Sequence, residues 1–313
     1  MVWRSVVISQ PAKLKREHFS LVIEQMQSAR VPFEDIAVIV LNNREITLTH
    51  PVLSACAEYG IGLYSTGDNH QPNGILLPFL SHSRATRMMR LQLAIDKPQT
   101  KRAWAEIVKC KISNQAICLK MAFPFPLSKV EGKKVDAERL VSYANRVRSG
   151  DVENIEAQAS SYYFPQLFGK GFHRAQESWI NSALDYGYAI LRGAIARALV
   201  AHGLQPNIGL FHRSEQNAFN LADDVIEPYR AVVDLHVFTS LNPYTKLSDL
   251  SPSDKAALVA LLNVDVKMPR GNMAVLASIE QMVESVVRLY DGASESVLEM
   301  PTIVGLGQHV FEM

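Results

Sequence analysis

Cysteine is scarce in this 313-residue chain: Cys56, Cys110 and Cys118 are an odd number with no paired spacing. That argues against a disulfide framework and a thiolate zinc motif, and it suits reduced thiols in the cytoplasm. No stretch approaches the ~18–20 uninterrupted apolar residues a membrane span needs, so no membrane role is expected. The opening Met1-Val2-Trp3-Arg4-Ser5 has no apolar run ending in small residues, so no secretory leader is expected either. Internal repeats and low-complexity tracts are lacking. So is a Gly-rich phosphate loop: Gly132-Lys-Lys stands too isolated to count, and a nucleotide-hydrolysing reading loses support.

What is present is an ordinary globular composition, 48% hydrophobic and 20% charged, long enough for two domains. The net charge of +1 hides an uneven distribution. Residues 1–80 carry 6 Lys+Arg against 7 Asp+Glu, residues 81–150 carry 15 against 5, and residues 151–313 carry 11 against 19. A basic middle beside an acidic remainder suits a polyanion track next to a cation-binding centre, although clustered charges on a solvated helix face would look the same.

The hydrophobic pattern predicts an α+β protein, with a β-rich N-terminal domain at 1–80 and a larger all-α catalytic domain at 81–313. Trp3–Ser9, Phe19–Glu24, Ile36–Leu41 and Ile61–Ser65 read as strands, Val52–Tyr59 as a short helix, and the stretch around Gly67, Pro72 and Gly74 as a loop. Beyond residue 81 the period becomes helical: 99–121 until Pro124 and Pro126, Asp136–Val147, Trp179–His202 closed by Gly203, Pro252–Leu262, and Asn272–Tyr290.

Three segments could carry chemistry. In the first, Asp151 is placed to cap a helix on which Glu156, Ser160 and Tyr163 follow at i, i+4 and i+7. The second, Gly209-Leu-Phe-His212-Arg213, delivers a histidine at the end of a short apolar run. In the third, Asp224 and Glu227 are spaced i, i+3, so one helix face would carry both carboxylates, with Asp223 about 100° away. Pro228 should kink or end that helix. Each alone has a bland reading, as a surface acid or a structural histidine. Together they form a set of one imidazole and several carboxylates without cysteine, which suits Mg²⁺ or Mn²⁺ and phosphodiester chemistry.

The run from Gly209 to Arg230 closely resembles the signature of the CRISPR-associated spacer-acquisition integrase family. The family pattern of a histidine followed by Leu-Ala-x-Asp-x-x-Glu is matched by His212, Leu221, Ala222, Asp224 and Glu227. Its Glu-Gly-x-Ala-x-x-x-Tyr-Phe helix is similar to Glu156 through Phe164, with Ala157 in place of glycine. Further matches at Asn181–Tyr188 and Val31–Val38 spread the resemblance over nearly the whole chain. The Phe219-Asn-Leu-Ala-Asp-Asp224 form looks most like members from systems built around a single-protein RNA-guided nuclease.

This resemblance implies a metal-dependent DNA endonuclease and integrase that inserts captured fragments into a repeat array by transesterification. By carry-over, Glu156, His212 and Glu227 are catalytic and hold the metal, with Asp224 as an additional ligand or acidic neighbour. Implied partners are double-stranded DNA, a second copy of the chain, and a small ferredoxin-like acquisition subunit bridging two dimers; the near-neutral charge and short apolar strands of residues 1–80 suit that segment to hold the dimer. The RNA-guided effector nuclease of the same system is a further candidate. Arg84, Arg87, Arg90, Lys101, Arg102, Lys109, Lys111, Tyr163 and Arg213 are the expected DNA contacts. A generic metal-dependent nuclease or repair enzyme and a non-catalytic DNA-binding scaffold are the alternatives.

Overall fold

The computed structural model describes residues 4–68, 71–78, 82–123, 135–240, 249–292 and 298–310. Trp3, Pro124, Pro126 and Gly132, used in reading the sequence, lie outside them. The first part has two sheets. Strands β1 (Arg4–Ile8), β5 (Ile36–Leu41) and β7 (Gly62–Thr66) run parallel, with β8 (Pro72–Leu76) antiparallel at the edge. Strands β2 (Ala12–Glu17), β3 (Ser20–Glu24) and β4 (Ala29–Pro32) form a meander, to which β6 (Ile46–Leu48) adds in parallel with β2. Helix α1 (His50–Glu58) packs its Val52 and Cys56 with Leu14, Leu21, Phe33 and Ile39 in a core of their own.

Strand β5 reads Ile36-Ala-Val-Ile-Val-Leu41 and is buried on both faces, as a central parallel strand requires. Ile39 enters the N-terminal core, whereas Val38 and Val40 enter a second core shared with the helices. Tyr64 of β7 crosses the same boundary and donates its hydroxyl to the carbonyl of Ile190 at 3.0 Å. Gly193 makes room for that ring: a Cβ there would lie 2.2 Å from the Tyr64 oxygen.

The helices are α2 (Ala85–Ala94), α3 (Lys97–Ala122), α4 (Glu138–Arg146), α5 (Ile155–Phe168), α6 (Trp179–Ala201), α7 (Asn220–Val225), α8 (Arg230–Thr239), α9 (Pro252–Ala260) and α10 (Val275–Tyr290). The starts of α3 and α6 are capped by side chains: Asp96 accepts from the Gln99 amide and Ser178 from the Asn181 amide. Among the described residues no helix is long and apolar enough to cross a membrane.

The expectation of an all-α domain after residue 80 is overturned. An antiparallel sheet of order β10-β9-β11 stands in that part, built from β9 (Val264–Met268), β10 (Gly271–Ala274) and β11 (Thr302–Gln308). Val264, Val266 and Met268 are buried while Asp265 and Lys267 are not, a period of two sustained over only five residues. The helix expected from Asn272 therefore begins at Val275, after β10. Pro72–Leu76, read as loop, is the edge strand β8.

Candidate active site

The site is assembled from two helices, a loop and a 3-10 turn. Helix α3 supplies Lys111 and Trp104; α5 supplies Glu156; the loop at 209–212 supplies His212; and the 3-10 turn Glu227–Tyr229, just before α8, supplies Glu227. Glu156 is held at the first turn of α5. The Asp151 carboxylate accepts from the amides of Ile155 and Glu156 at 2.9 and 3.0 Å, capping the helix from three residues before its N-cap, Asn154. Asn154 itself takes φ 52°, a left-handed conformation that asparagine tolerates.

Asp224 and Glu227 engage different partners. Helix α7 ends at Val225, and Pro228 lies inside the 3-10 turn that follows. Asp224 is fully buried and turns to the histidine loop: Oδ2 accepts from the amides of Leu210 and Phe211 at 2.6 and 3.0 Å. Its Oδ1 accepts from the His212 amide at 3.1 Å and meets His212 Nδ1 at 2.7 Å. With both oxygens engaged, Asp224 orients His212 and assigns the neutral ring's proton to Nδ1, leaving the lone pair on Nε2. Gly209 lets the loop wrap this carboxylate, because a Cβ there would lie 2.9 Å from Asp224 Oδ2 and 2.3 Å from the His212 carbonyl oxygen. The hydrogen bond to Asp224 raises the His212 pKa against the lowering effect of burial; Asp224 is itself raised, because burial outweighs its donors. Trp104 and Phe211 stack in parallel with ring centroids 4.1 Å apart, and each meets the imidazole edge-on at 5.7 Å.

Glu227 is held by two cations. Its Oε1 accepts from Arg230 Nε at 2.9 Å, and its Oε2 lies 2.5 Å from Lys111 Nζ. The same ammonium lies 2.5 Å from Glu156 Oε1. Burial alone would raise the Glu227 carboxyl, but Arg230 and Lys111 hold it down to about 2. Lys111 is thus the cation that faces this buried oxygen. Asn114 of α3 fixes the turn by donating to the carbonyls of Pro228 and Pro301 at 2.7 and 2.9 Å.

Of the residues predicted to form the site, Glu156 and Glu227 are brought together on one cation, His212 is brought to Asp224, and Asp223 points away to Asn217 and Arg192. Among the described residues no three His, Cys, Asp or Glu side chains stand grouped for a metal ion. The chemistry of the donor set fits one nonetheless: two carboxylates already converge on a single positive charge.

Two of the expected DNA contacts are corrected. Tyr163 is buried and donates to Asp234 at 2.9 Å, and Lys111 is buried between the carboxylates; neither faces solvent. Arg84, Arg90, Lys101, Arg102 and Arg213 are exposed; Arg87 is paired with Asp291 and Lys109 with Glu106. Arg230 was missed from the sequence, although its i, i+3 spacing from Glu227 is the available signal.

The profile of the family described as "CRISPR associated protein Cas1" matches residues 5–260. The chain belongs to the Cas1 family. This is the spacer-acquisition integrase family that the His212–Glu227 motif resembles. A relative from Neisseria meningitidis serogroup C, "CRISPR-associated endonuclease Cas1", is 40% identical over 313 residues, covering 100% of both chains. Among solved structures, a casposase bound to integration product superposes with a TM-score of 0.74 at 17% identity, over 97% of this chain and 95% of that one. A chain of a Cas6-RT-Cas1–Cas2 complex gives 0.74 at 16% identity, over 97% of this chain and 36% of that one. At such identities the likeness concerns the fold.

Proposed function

We propose that this Cas1-family protein is a metal-dependent DNA endonuclease and integrase of CRISPR adaptation, joining the 3′-hydroxyl of a DNA fragment to a phosphodiester of a repeat. The observation that carries this reading is the pair Glu156–Glu227 closed on one positive charge, with the imidazole of His212, oriented by Asp224, close enough to be raised by the Glu227 charge. Glu156, His212 and Glu227 would hold Mg²⁺ or Mn²⁺, and Asp224 would orient His212. Such a cation, when bound, supplies Lewis-acid stabilisation of phosphate charge. Arg230 keeps Glu227 ionised and aimed, and Asp224 keeps the imidazole in one tautomer. A cleft of about 520 Å³ beside the Glu227 turn is lined by Arg174, Arg192 and Arg230 together with Asp185 and Asp223.

Partners follow by likeness. The Neisseria relative is named an endonuclease, the casposase was solved bound to integration product, and a further neighbour belongs to a Cas6-RT-Cas1–Cas2 complex. We assign double-stranded DNA and a Cas2-type small subunit as partners, and a second copy of this chain joined through residues 1–80. The effector nuclease of the same system is a further partner of this proposal. The dimer is tested by the mass of the full chain in solution, because a chain begun near residue 81 would lose the sheet that carries Tyr64.

The deciding experiment incubates the purified protein, with and without its small partner, with a fragment bearing 3′-hydroxyl ends and a repeat-bearing plasmid. Joined product that needs Mg²⁺ or Mn²⁺ and disappears with chelator is expected. Cleavage without joining would favour a general nuclease, and joining that survives chelation would sink the metal reading.

A further inference from the structure

Glu227 offers a metal only one oxygen. Its Oε1 is held by Arg230, whose guanidinium also lies over the Tyr188 ring, 4.5 Å from its centroid. Its Oε2 is buried and faces Lys111 Nζ. Lys111 is 7% exposed, and its two ion-pair partners among the described residues are Glu156 and Glu227, the two carboxylates proposed as ligands. An ammonium 2.5 Å from Oε2 stands where a cation binding that oxygen would have to enter. Two positive charges cannot share it in a buried setting without strong repulsion. Arg230 is the less movable of the two, being a planar fork with a second support on Tyr188, whereas Lys111 is a point charge on a flexible four-carbon stem.

We infer that Lys111 is the resident counter-cation of the Glu156–Glu227 pair and that a divalent metal binds there by displacing its ammonium. In the metal-free protein Lys111 neutralises two close carboxylates that would otherwise repel and strain the buried turn at 227–229. When a metal takes the carboxylates, the ammonium loses both partners and needs a new anion, for which a DNA phosphate at the site is suited. Metal binding and DNA binding thereby become linked through one lysine: metal frees a cation for DNA, and DNA stabilises the state in which the lysine has left. The inference rests on the metal reading above.

The test uses the wild-type full chain. Amine acetylation followed by peptide mass spectrometry reports the reactivity of Lys111 against exposed Lys101 as internal reference, with and without Mn²⁺. Mn²⁺ binding is measured in parallel by loss of the free-ion electron paramagnetic resonance signal. Lys111 should be protected without metal and should become reactive when Mn²⁺ binds, with Lys101 unchanged. If Mn²⁺ binds and Lys111 stays protected, displacement is wrong and the metal reading stands. If the intact protein binds no Mn²⁺, both fall together. As a second measurement, Lys111→Met should bind Mn²⁺ about tenfold more tightly, since the competitor is gone; equal or weaker binding by a folded variant overturns the inference.

Discussion

His212 and Asp224 form a single unit: the buried carboxylate lies 2.7 Å from the imidazole Nδ1 and also ties down the backbone amides of residues 210–212. The carboxylate thus shapes the loop and orients the ring at once. Asp224→Asn can present an oxygen to only one side of this cradle, so it should lower integration by about 10–100-fold, the usual cost of removing a group that orients a ligand. The same change should lower the His212 pKa, because the Asp224 hydrogen bond is the first cause of its rise. Only the neutral ring can ligate, so a raised pKa places the acid limb of activity at higher pH, and the variant's limb should move down. An unchanged His212 titration by NMR would separate Asp224 from the histidine.

Alanine at Glu156, His212 or Glu227 should cut strand transfer by orders of magnitude, since each ~1.4 kcal/mol lost from the transition state is tenfold in rate. DNA affinity measured on the same preparations should persist, because the exposed basic residues of α2 and α3 are separate from these side chains. Near-normal joining by any one variant removes that residue from the site; loss of binding together with activity points to misfolding.

The motif made His212, Asp224 and Glu227 legible before any coordinates, because their order along the chain carries the signal. Their roles were less legible. A spacing of i, i+3 says nothing of what each acid meets: Asp224 is taken by the amides and imidazole of the 210–212 loop, Glu227 by Arg230 and Lys111. Lys111 was hidden for a related reason: one lysine in a basic helix looks like solvated charge until the helix face it occupies is known. The strands β1, β3, β5 and β7 showed themselves by apolar β-branched runs. Strand β2, Ala12-Lys-Leu-Lys-Arg-Glu17, did not, because four of its six residues are charged and only Ala12 and Leu14 are fully buried. The β9–β11 sheet escaped because its strands are short and β10 abuts a strong helix.

The exposed basic residues Arg84, Arg90, Lys101 and Arg102 should hold phosphates rather than read bases. Changing them to Ala in pairs should weaken binding equally for unrelated DNA sequences and reduce the salt slope by about 0.9 per lost phosphate contact. Arg87 and Lys109, already paired with Asp291 and Glu106, should have smaller effects. A salt slope unchanged in the first group would take this surface out of DNA binding.

Gly193→Ala should destabilise the whole chain. The added methyl would strike the Tyr64 ring, which is 2% exposed and hydrogen-bonded to Ile190, at a cost of about 1–3 kcal/mol for overpacking. Denaturant unfolding measures it. Because Tyr64 belongs to the parallel sheet and Gly193 to α6, one cooperative transition moved to lower denaturant is expected; a split into two transitions would mean that the two parts unfold independently.

Asp234 gives the protein a stability term that depends on pH. Its carboxylate is 1% exposed and accepts hydrogen bonds from Tyr163 and Tyr188. Burial pushes its pKa up to about 6 despite those bonds and the nearby guanidiniums of Arg230 and Arg174. A folded pKa above the unfolded one means that the folded state binds the proton more tightly. The contribution is therefore fully present below the ordinary aspartate range and is lost as pH rises through about 6. The shift of roughly two units corresponds to about 3 kcal/mol at most. Asp234→Asn removes the titration while keeping one acceptor for the tyrosines, so the difference in melting temperature between wild type and variant isolates it from every other group. Wild type should gain on the variant as pH falls from 7 to 5. A difference that stays constant across that range would show that Asp234 does not titrate there, and its hydrogen bonds to the tyrosines would then have to hold it ionised throughout.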